Sequence, residues 1–197
     1  MNRWLSRLCL ACLAAELLLV LLSWLLSAQM VDGVRSLLSL EGVRWLLGRF
    51  TSLLLQPVLV WLLLGGMAYG CMTESGLLSD LRRERPLSYR CKMALRVSCL
   101  LLLVYIAVVV LLTATPHAVL LSVTGTLFPS PFSAALVPLI AFALMLTGLS
   151  YGWAAGRLHQ PGTMFGAMAS GVGQAAPWLV AYVPMVLLYE SLRYIFL

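Results

Sequence analysis

The sequence predicts an all-α integral membrane protein with about five transmembrane helices and one amphipathic helix in the membrane surface. Three observations support this fold class. Of the 197 residues, 62% are hydrophobic and only 10% are charged. The apolar residues form continuous runs, and a helix needs ~20 of them to cross ~30 Å of hydrocarbon. Strands of a membrane barrel would instead alternate apolar and polar residues.

The first apolar run predicts a transmembrane helix over residues 4–28. Its basic beginning is typical of a signal peptide, but the run is too long, and it lacks the small residues that a cleavage site near Ala28 would need. We therefore expect the segment to remain attached. Trp4 and Trp24 stand near its two ends, where indole rings prefer the membrane interface.

An amphipathic helix is predicted over residues 39–53. Val43, Leu47 and Phe50 recur at intervals of three and four residues, whereas glutamate, arginine and glycine residues fall on the opposite face. This pattern is typical of a helix that lies in the plane of the membrane surface. We expect it on the outer side, leading directly into a second span over residues 54–72.

The rest of the chain predicts a charged loop and three further spans. The loop, residues 78–93, is basic and is expected in the cytoplasm. The spans are predicted at residues 94–113, 133–156 and 166–189. The last one contains Pro177 and Pro184, so it predicts either one broken helix or two shorter pieces. All spans are expected to form a single membrane domain, residues 1–197.

The basic residues also predict an orientation. With the N-terminus in the cytoplasm, nine of the thirteen basic residues lie inside and four lie outside. Cytoplasmic loops carry the excess of arginine and lysine in membrane proteins. We therefore expect a cytoplasmic N-terminus.

Residues typical of catalytic and metal sites are sparse. His117 and His159 stand alone in short loops, without a second ligand at metal spacing. We interpret the cysteines, including the Cys9 and Cys12 pair, as reduced thiols that pack against apolar neighbours. No serine or threonine has a paired base. We expect no enzyme, no cofactor and no metal, and the net charge of +6 does not indicate nucleic-acid binding.

Glu16 is the candidate functional residue of the first span. It lies 12 residues after Trp4, which is ~18 Å along a helix and hence near the bilayer centre. Ionisable residues at that depth usually face a bundle interior or a water path. Two interpretations stay open: a proton or cation relay, and a carboxyl group hydrogen-bonded to a polar partner such as Ser98 or Tyr105. The ion or substrate site predicted from depth and polarity consists of Glu16, Thr147, Ser150 and Gln174.

Glycines spaced four residues apart predict close helix packing. They are Gly66 and Gly70 in one span, and Gly148, Gly152 and Gly156 in another. Small residues at this spacing let two helix backbones approach in lipid. The contact predicted is either within one chain or between copies, and the expected partners are membrane lipid and a second copy or a partner membrane chain.

Two blocks of sequence carry the marks of a known family. The first runs "LFPSPFSAALVPLIAFALMLTGLSYGWAAGRL", and its marks are residues 129–132, 137–140, Tyr151 and Gly152. The second covers residues 37–78, and its marks are Ser39, Glu41, Gly42, Trp45, Pro57, Glu74, Ser75 and Gly76. In this combination and order the chain resembles the AbgT family of aminobenzoyl-glutamate transporters.

The resemblance implies a secondary transporter of the bacterial inner membrane, for aminobenzoyl-glutamate or for drug efflux, with a small anionic solute. Proton coupling through Glu16 is a hypothesis that we add to it. Family members also carry re-entrant hairpins rich in Ser, Asn and Asp, whereas residues 77–93 here join the two blocks through a short charged loop. The resemblance therefore implies a shortened member without these hairpins. Two functions stay open: transport, and a scaffold or assembly subunit that has lost transport.

Overall fold

The computed structural model describes residues 3–29, 33–82, 88–114 and 131–196, and 89% of these residues are helical. The helices are α1 (Arg3–Ala28), α2 (Leu40–Leu54), α3 (Pro57–Glu74), α4 (Leu77–Arg82), α5 (Tyr89–Ala114), α6 (Pro131–Ala155) and α7 (Pro161–Phe196). The described ranges contain no strand. Five stretches are long and apolar enough to cross a membrane, so the protein is an all-α membrane protein, as predicted.

The boundary between α2 and α3 follows from three local features. The Ser39 side chain caps α2 by accepting a hydrogen bond from the Gly42 amide at 3.0 Å. Leu55 leaves the helical conformation, and α3 begins at Pro57, whose missing N–H is not needed in a first turn. The predicted surface helix and second span thus correspond to two separate helices, and together they form one candidate span, Leu40–Glu74.

The stretch predicted as a charged loop, residues 78–93, is partly helical. It contains most of α4 and the first turn of α5. The sequence pattern marked it as a loop because of its charges, but one of those charges, Asp80, is buried and paired within the fold. Residues 83–87 lie outside the described residues, as do His117, Pro129 and Ser130.

The last apolar stretch forms one continuous helix, α7, of 36 residues. The predicted alternative of two shorter pieces is not what the structure shows, although Pro177 and Pro184 lie inside the helix. Membrane helices tolerate internal prolines because neighbouring groups can satisfy the freed carbonyls.

The fold divides into two compact units. Unit 1 contains the described residues up to Leu62 and from Ala176 onward, and unit 2 contains Leu63–Ala175. Unit 1 therefore comprises α1, α2 and the adjoining parts of α3 and α7. Unit 2 comprises α4, α5, α6 and the remainder of α3 and α7.

Glycine contacts bring the helices of unit 2 together. A Cβ atom placed on Gly70 would lie 2.6 Å from Gly171 Cα, and one placed on Gly66 would lie 2.9 Å from Ala175 Cβ. A Cβ atom placed on Gly148 would lie 2.9 Å from the carbonyl carbon of Cys71. These approaches are shorter than any side chain allows, so α3 packs backbone to backbone against both α6 and α7. α5 packs on α6, where the Tyr105 hydroxyl donates to the Leu139 carbonyl at 3.0 Å.

Candidate functional site

The carboxyl group of Glu16 in unit 1 has one paired oxygen and one free oxygen. The Ser191 hydroxyl donates a hydrogen bond of 2.6 Å to Glu16 Oε1. Glu16 Oε2 is buried and has no hydrogen-bond partner, and no other side-chain oxygen or nitrogen buried in the described ranges is in this state. Buried polar atoms are normally paired, which makes Glu16 Oε2 an exception among the described residues.

A second carboxyl group of unit 1 lies one residue before Ser191. Glu190 is 7% exposed, and its Oε1 accepts a hydrogen bond of 3.1 Å from Gln56 Nε2. Gln56 occupies the short break between α2 and α3. Just before this break, the carbonyl of Leu54, the last residue of α2, accepts a hydrogen bond from the Tyr182 hydroxyl at 3.0 Å. We refer to Glu16, Gln56, Glu190 and Ser191 as the carboxyl cluster.

The sequence predicted only one member of the carboxyl cluster. Glu190 and Ser191 were missed because the last span was expected to end at residue 189, whereas α7 continues to Phe196. A signal was present: an acidic residue directly after a long apolar run. The predicted partners of Glu16 were also different, because the Ser98 hydroxyl bonds to the Leu95 carbonyl of its own helix.

The other predicted site residues belong to unit 2, and two of them form side-chain hydrogen bonds to carbonyl groups of their own helix. The Thr147 hydroxyl donates to the Ala143 carbonyl at 2.5 Å, and the Ser150 hydroxyl donates to the Thr147 carbonyl at 3.1 Å. Such bonds to the preceding turn are common for hydroxyl residues inside helices. Gln174 is exposed on α7.

The strongest polar contacts of unit 2 converge on Asp80, which is 6% exposed. Asp80 Oδ2 accepts from the Tyr151 hydroxyl at 2.7 Å and from the Arg157 guanidinium at 2.8 Å. The second terminal nitrogen of the Arg157 guanidinium, Nη1, donates to the Ser75 carbonyl at 2.8 Å. This arrangement, which we name the Asp80 network, ties α4 to the end of α6.

A glycine turn places Arg157 in the Asp80 network. Gly156 has a φ of +81°, which L-residues with a side chain rarely adopt, and it directly follows the last residue of α6. The Arg157 and Leu158 amides then donate to the Gly152 carbonyl at 2.9 and 3.0 Å. Gly156 was predicted as a packing residue; the structure places it at this turn, whereas Gly152 faces Ser75 and Leu158.

Unit 2 also has an apolar cavity of about 500 Å³. Its wall is formed by residues of α3, α4 and α6, and Arg82 is the charged residue among them. The described ranges contain no group of three or more His, Cys, Asp or Glu residues that could hold a metal ion.

The comparison with protein families identifies the chain. The model of the AbgT transporter family matches residues 78–189, more than half of the chain. The chain belongs to the AbgT transporter family. No curated protein and no solved structure matches it.

The match to the AbgT family covers the first block of family marks and the residues of the Asp80 network other than Ser75. The second block, residues 37–78, lies almost entirely outside the matched range. AbgT is a family of transporters and not of enzymes. The protein is thus a multi-pass membrane protein of a transporter family.

Proposed function

We propose that this AbgT family member takes part in proton-coupled movement of a small anionic solute across the bacterial inner membrane, and that Glu16 carries the coupling proton. Aminobenzoyl-glutamate is the first solute to test, because the family resemblance implies it. The observation that carries the proposal is the buried Glu16 Oε2 atom, which has no hydrogen-bond partner.

An unpaired oxygen is costly, and its cost argues for a function. Leaving a buried acceptor without a donor costs ~1–3 kcal/mol. A leucine at this position would avoid the cost and would suit α1, which is apolar on both sides of Glu16. Ionisable residues inside membrane helices typically mark proton or ion paths.

The rest of the carboxyl cluster supports a relay at this point. Ser191 fixes one Glu16 oxygen and leaves the other available to accept a proton. The next residue, Glu190, carries a second carboxyl group that is held by Gln56. The two carboxyl groups, Glu16 bonded to Ser191 and Glu190 bonded to Gln56, provide two acceptors at which a proton can rest.

A flux experiment tests the relay. Purified protein in sealed liposomes is given labelled aminobenzoyl-glutamate with and without an imposed pH gradient. We expect the gradient to accelerate uptake for the wild type, Glu16→Gln to abolish this acceleration, and Glu16→Asp to retain part of it. Glu74→Gln is the matched control, because Glu74 is an exposed carboxylate of unit 2. Unchanged gradient dependence in Glu16→Gln would exclude Glu16 as the proton carrier.

The second candidate function is that of a scaffold or assembly subunit, and two observations favour it. Transporters of related design bind ions and anions at the ends of broken helices, whereas α7 is continuous over 36 residues. The cavity of unit 2 has one cationic residue, Arg82, which could offset only half the charge of a dicarboxylate. On this proposal a second copy or a partner membrane chain supplies the missing binding groups.

The two candidates differ in what the isolated chain can do. Flux above empty liposomes by the purified chain supports transport. No flux, together with a stoichiometric membrane partner that restores it, supports the subunit role. The proposed cytoplasmic N-terminus is tested separately with an activity reporter fused before Met1, which should be active only on the cytoplasmic side.

A further inference from the structure

Three arginines of unit 1 border a single open cavity. The cavity has a volume of about 570 Å³ and is lined by Arg35, Glu41, Arg44, Trp45, Gly48, Arg49 and Tyr194. We name it the arginine groove. Glu41, Arg44 and Gly48 lie on one face of α2, because they follow each other at three- and four-residue steps. Arg49 borders that face and also lines the groove.

The charges of the arginine groove are not balanced. Three guanidinium groups face one carboxylate, and in the part of the chain that the structure describes none of the three arginines forms an ion pair or hydrogen bond through its side chain. Like charges gathered around one cavity repel each other, and an anion placed among them would relieve this repulsion. Guanidinium groups match the oxygens of phosphate through paired N–H donors.

The floor and the end wall of the groove are suited to a bound group. A Cβ atom placed on Gly48 would meet nothing within 4 Å, so the glycine leaves open space. Trp45 and Tyr194 stack with ring centroids 4.3 Å apart and close one side. The Arg35 amide donates to the Ile195 carbonyl at 3.3 Å, which holds the segment before α2 against the end of α7.

The position of the groove on α2 indicates where the anion comes from. The opposite face of this helix exposes Val43, Leu47 and Phe50, which is the pattern of a helix in the membrane surface. Tryptophan and tyrosine prefer the level of the lipid headgroups. Basic pockets at that level bind phosphate-bearing headgroups.

We propose that the arginine groove binds a phosphate-bearing anion, with Arg35, Arg44 and Arg49 as its ligands. An anionic phospholipid headgroup and free inorganic phosphate share this chemistry. The proposal is independent of proton transfer through Glu16, and it gives unit 1 a second, separate binding role.

Native mass spectrometry of the purified full chain in neutral detergent tests the proposal. Phosphatidylglycerol is titrated in, with zwitterionic phosphatidylcholine as the reference lipid. We expect the wild type to retain phosphatidylglycerol preferentially. The double variant Arg44→Gln/Arg49→Gln should raise the half-saturating lipid concentration at least tenfold. Gly48→Leu, which keeps every charge and fills the floor, should raise it at least threefold.

Two control variants separate the groove from general charge. Arg193→Gln and Arg96→Gln each remove one exposed arginine that does not line the groove, and both should bind lipid as the wild type does. Arg49→Lys keeps the charge without the paired donors and should weaken binding in part. Circular dichroism shows that each variant has kept its helices.

Inorganic phosphate then distinguishes the two sources of the anion. Displacement of phosphatidylglycerol by millimolar phosphate shows that the groove accepts free phosphate as well, and failure to displace it identifies the lipid headgroup as the ligand. Equal retention of the two lipids by the wild type, or unchanged retention of phosphatidylglycerol in the Arg44→Gln/Arg49→Gln and Gly48→Leu variants, would overturn the proposal.

Discussion

The two units of the fold hold Asp80 and Glu16 with different donors. In unit 2, Asp80 is held by a tyrosine hydroxyl and an arginine, and that arginine also reaches a backbone carbonyl. In unit 1, Glu16 has one donor and leaves a second oxygen without one. Asp80 Oδ2 faces a guanidinium cation and a hydroxyl group, which hold it as a charged acceptor, whereas the carboxyl group of Glu16 has a single neutral donor. Asp80 therefore anchors helices of unit 2, whereas Glu16 is the proton carrier that we propose in unit 1.

The glycines show the same contrast. Gly70 of unit 2 lies against Gly171, so helix backbones touch there. Gly48 of unit 1 borders open space beneath three arginines. A glycine permits close packing in the first case and leaves open space in the second. The residue type alone does not distinguish these uses.

The largest effect is expected from breaking the Asp80 network. Arg157→Met should lower the free energy of unfolding by about 3 kcal/mol, the low end of the ~3–5 kcal/mol range for a broken buried pair, because the Arg157 side chain is 38% exposed. Unfolding is measured in detergent micelles titrated with SDS and followed by circular dichroism. The exposed Arg96 gives the control: Arg96→Met should change stability by less than ~0.5 kcal/mol. Similar losses in both variants would show that Asp80 is not a structural anchor.

The next largest effect is expected at the glycine contact of unit 2. Gly70→Ala should cost ~1–3 kcal/mol, because the new methyl group would overlap the backbone of α7. Gly65→Ala is the matched variant in the same helix, and a Cβ there meets nothing within 4 Å. It should be stabilising by ~0.5–1 kcal/mol, since alanine is the better helix former. A stable Gly70→Ala protein would contradict the close packing of α3 and α7.

A smaller effect is expected at the carboxyl cluster. Ser191→Ala removes the donor of Glu16 Oε1 and should lower the free energy of unfolding by ~1–2 kcal/mol. Ser150→Ala is the comparison, because its hydroxyl bonds only to its own helix; this change should be neutral within ~0.5 kcal/mol. Equal changes in the free energy of unfolding for the two variants would show that the bond from Ser191 to Glu16 does not stabilise the fold.

The smallest effect is expected at Thr147, which the sequence assigned to the ion or substrate site. Thr147→Val removes a hydroxyl that bonds to the Ala143 carbonyl, and stability should change by less than ~0.5 kcal/mol. Liposome flux should also be unchanged. A large loss of flux would show that the Thr147 hydroxyl gives up its bond to the Ala143 carbonyl and contacts the solute. Part of the solute site would then lie in unit 2.

Several residues that carry the family resemblance have structural roles in this fold. Ser39 caps α2, and Gly42 lies where a Cβ would meet the Ser36 and Leu37 carbonyls at 2.5 Å. Tyr151 bonds to Asp80. Gly76 has a φ of +75° and lies against Arg157. These four marks therefore stabilise helix ends, turns and contacts of the fold.

The candidate site was only partly predictable. Glu16 was found because a single carboxyl group in an apolar run stands out at any depth. Ser191 and Gln56 were not found, because an isolated serine or glutamine has no local signal for the residue that it will contact. The hydroxyls of Thr147 and Ser150 were assigned to the site by polarity alone, whereas the structure shows them bonded to their own backbone.

The sequence by itself determined that the protein lies in a membrane, that it is helical and that it has five stretches able to span the bilayer. The length of an apolar run can be read locally, and the thickness of the hydrocarbon layer sets the length that a span needs. The sequence could not determine which polar groups are paired. Glu16 and its donor Ser191 are separated by 175 residues, and the close contact of Gly70 with Gly171 joins two different helices. Only tertiary packing brings such residues together, so it alone decided that Asp80 meets Tyr151 and Arg157 and that one oxygen of Glu16 has no donor.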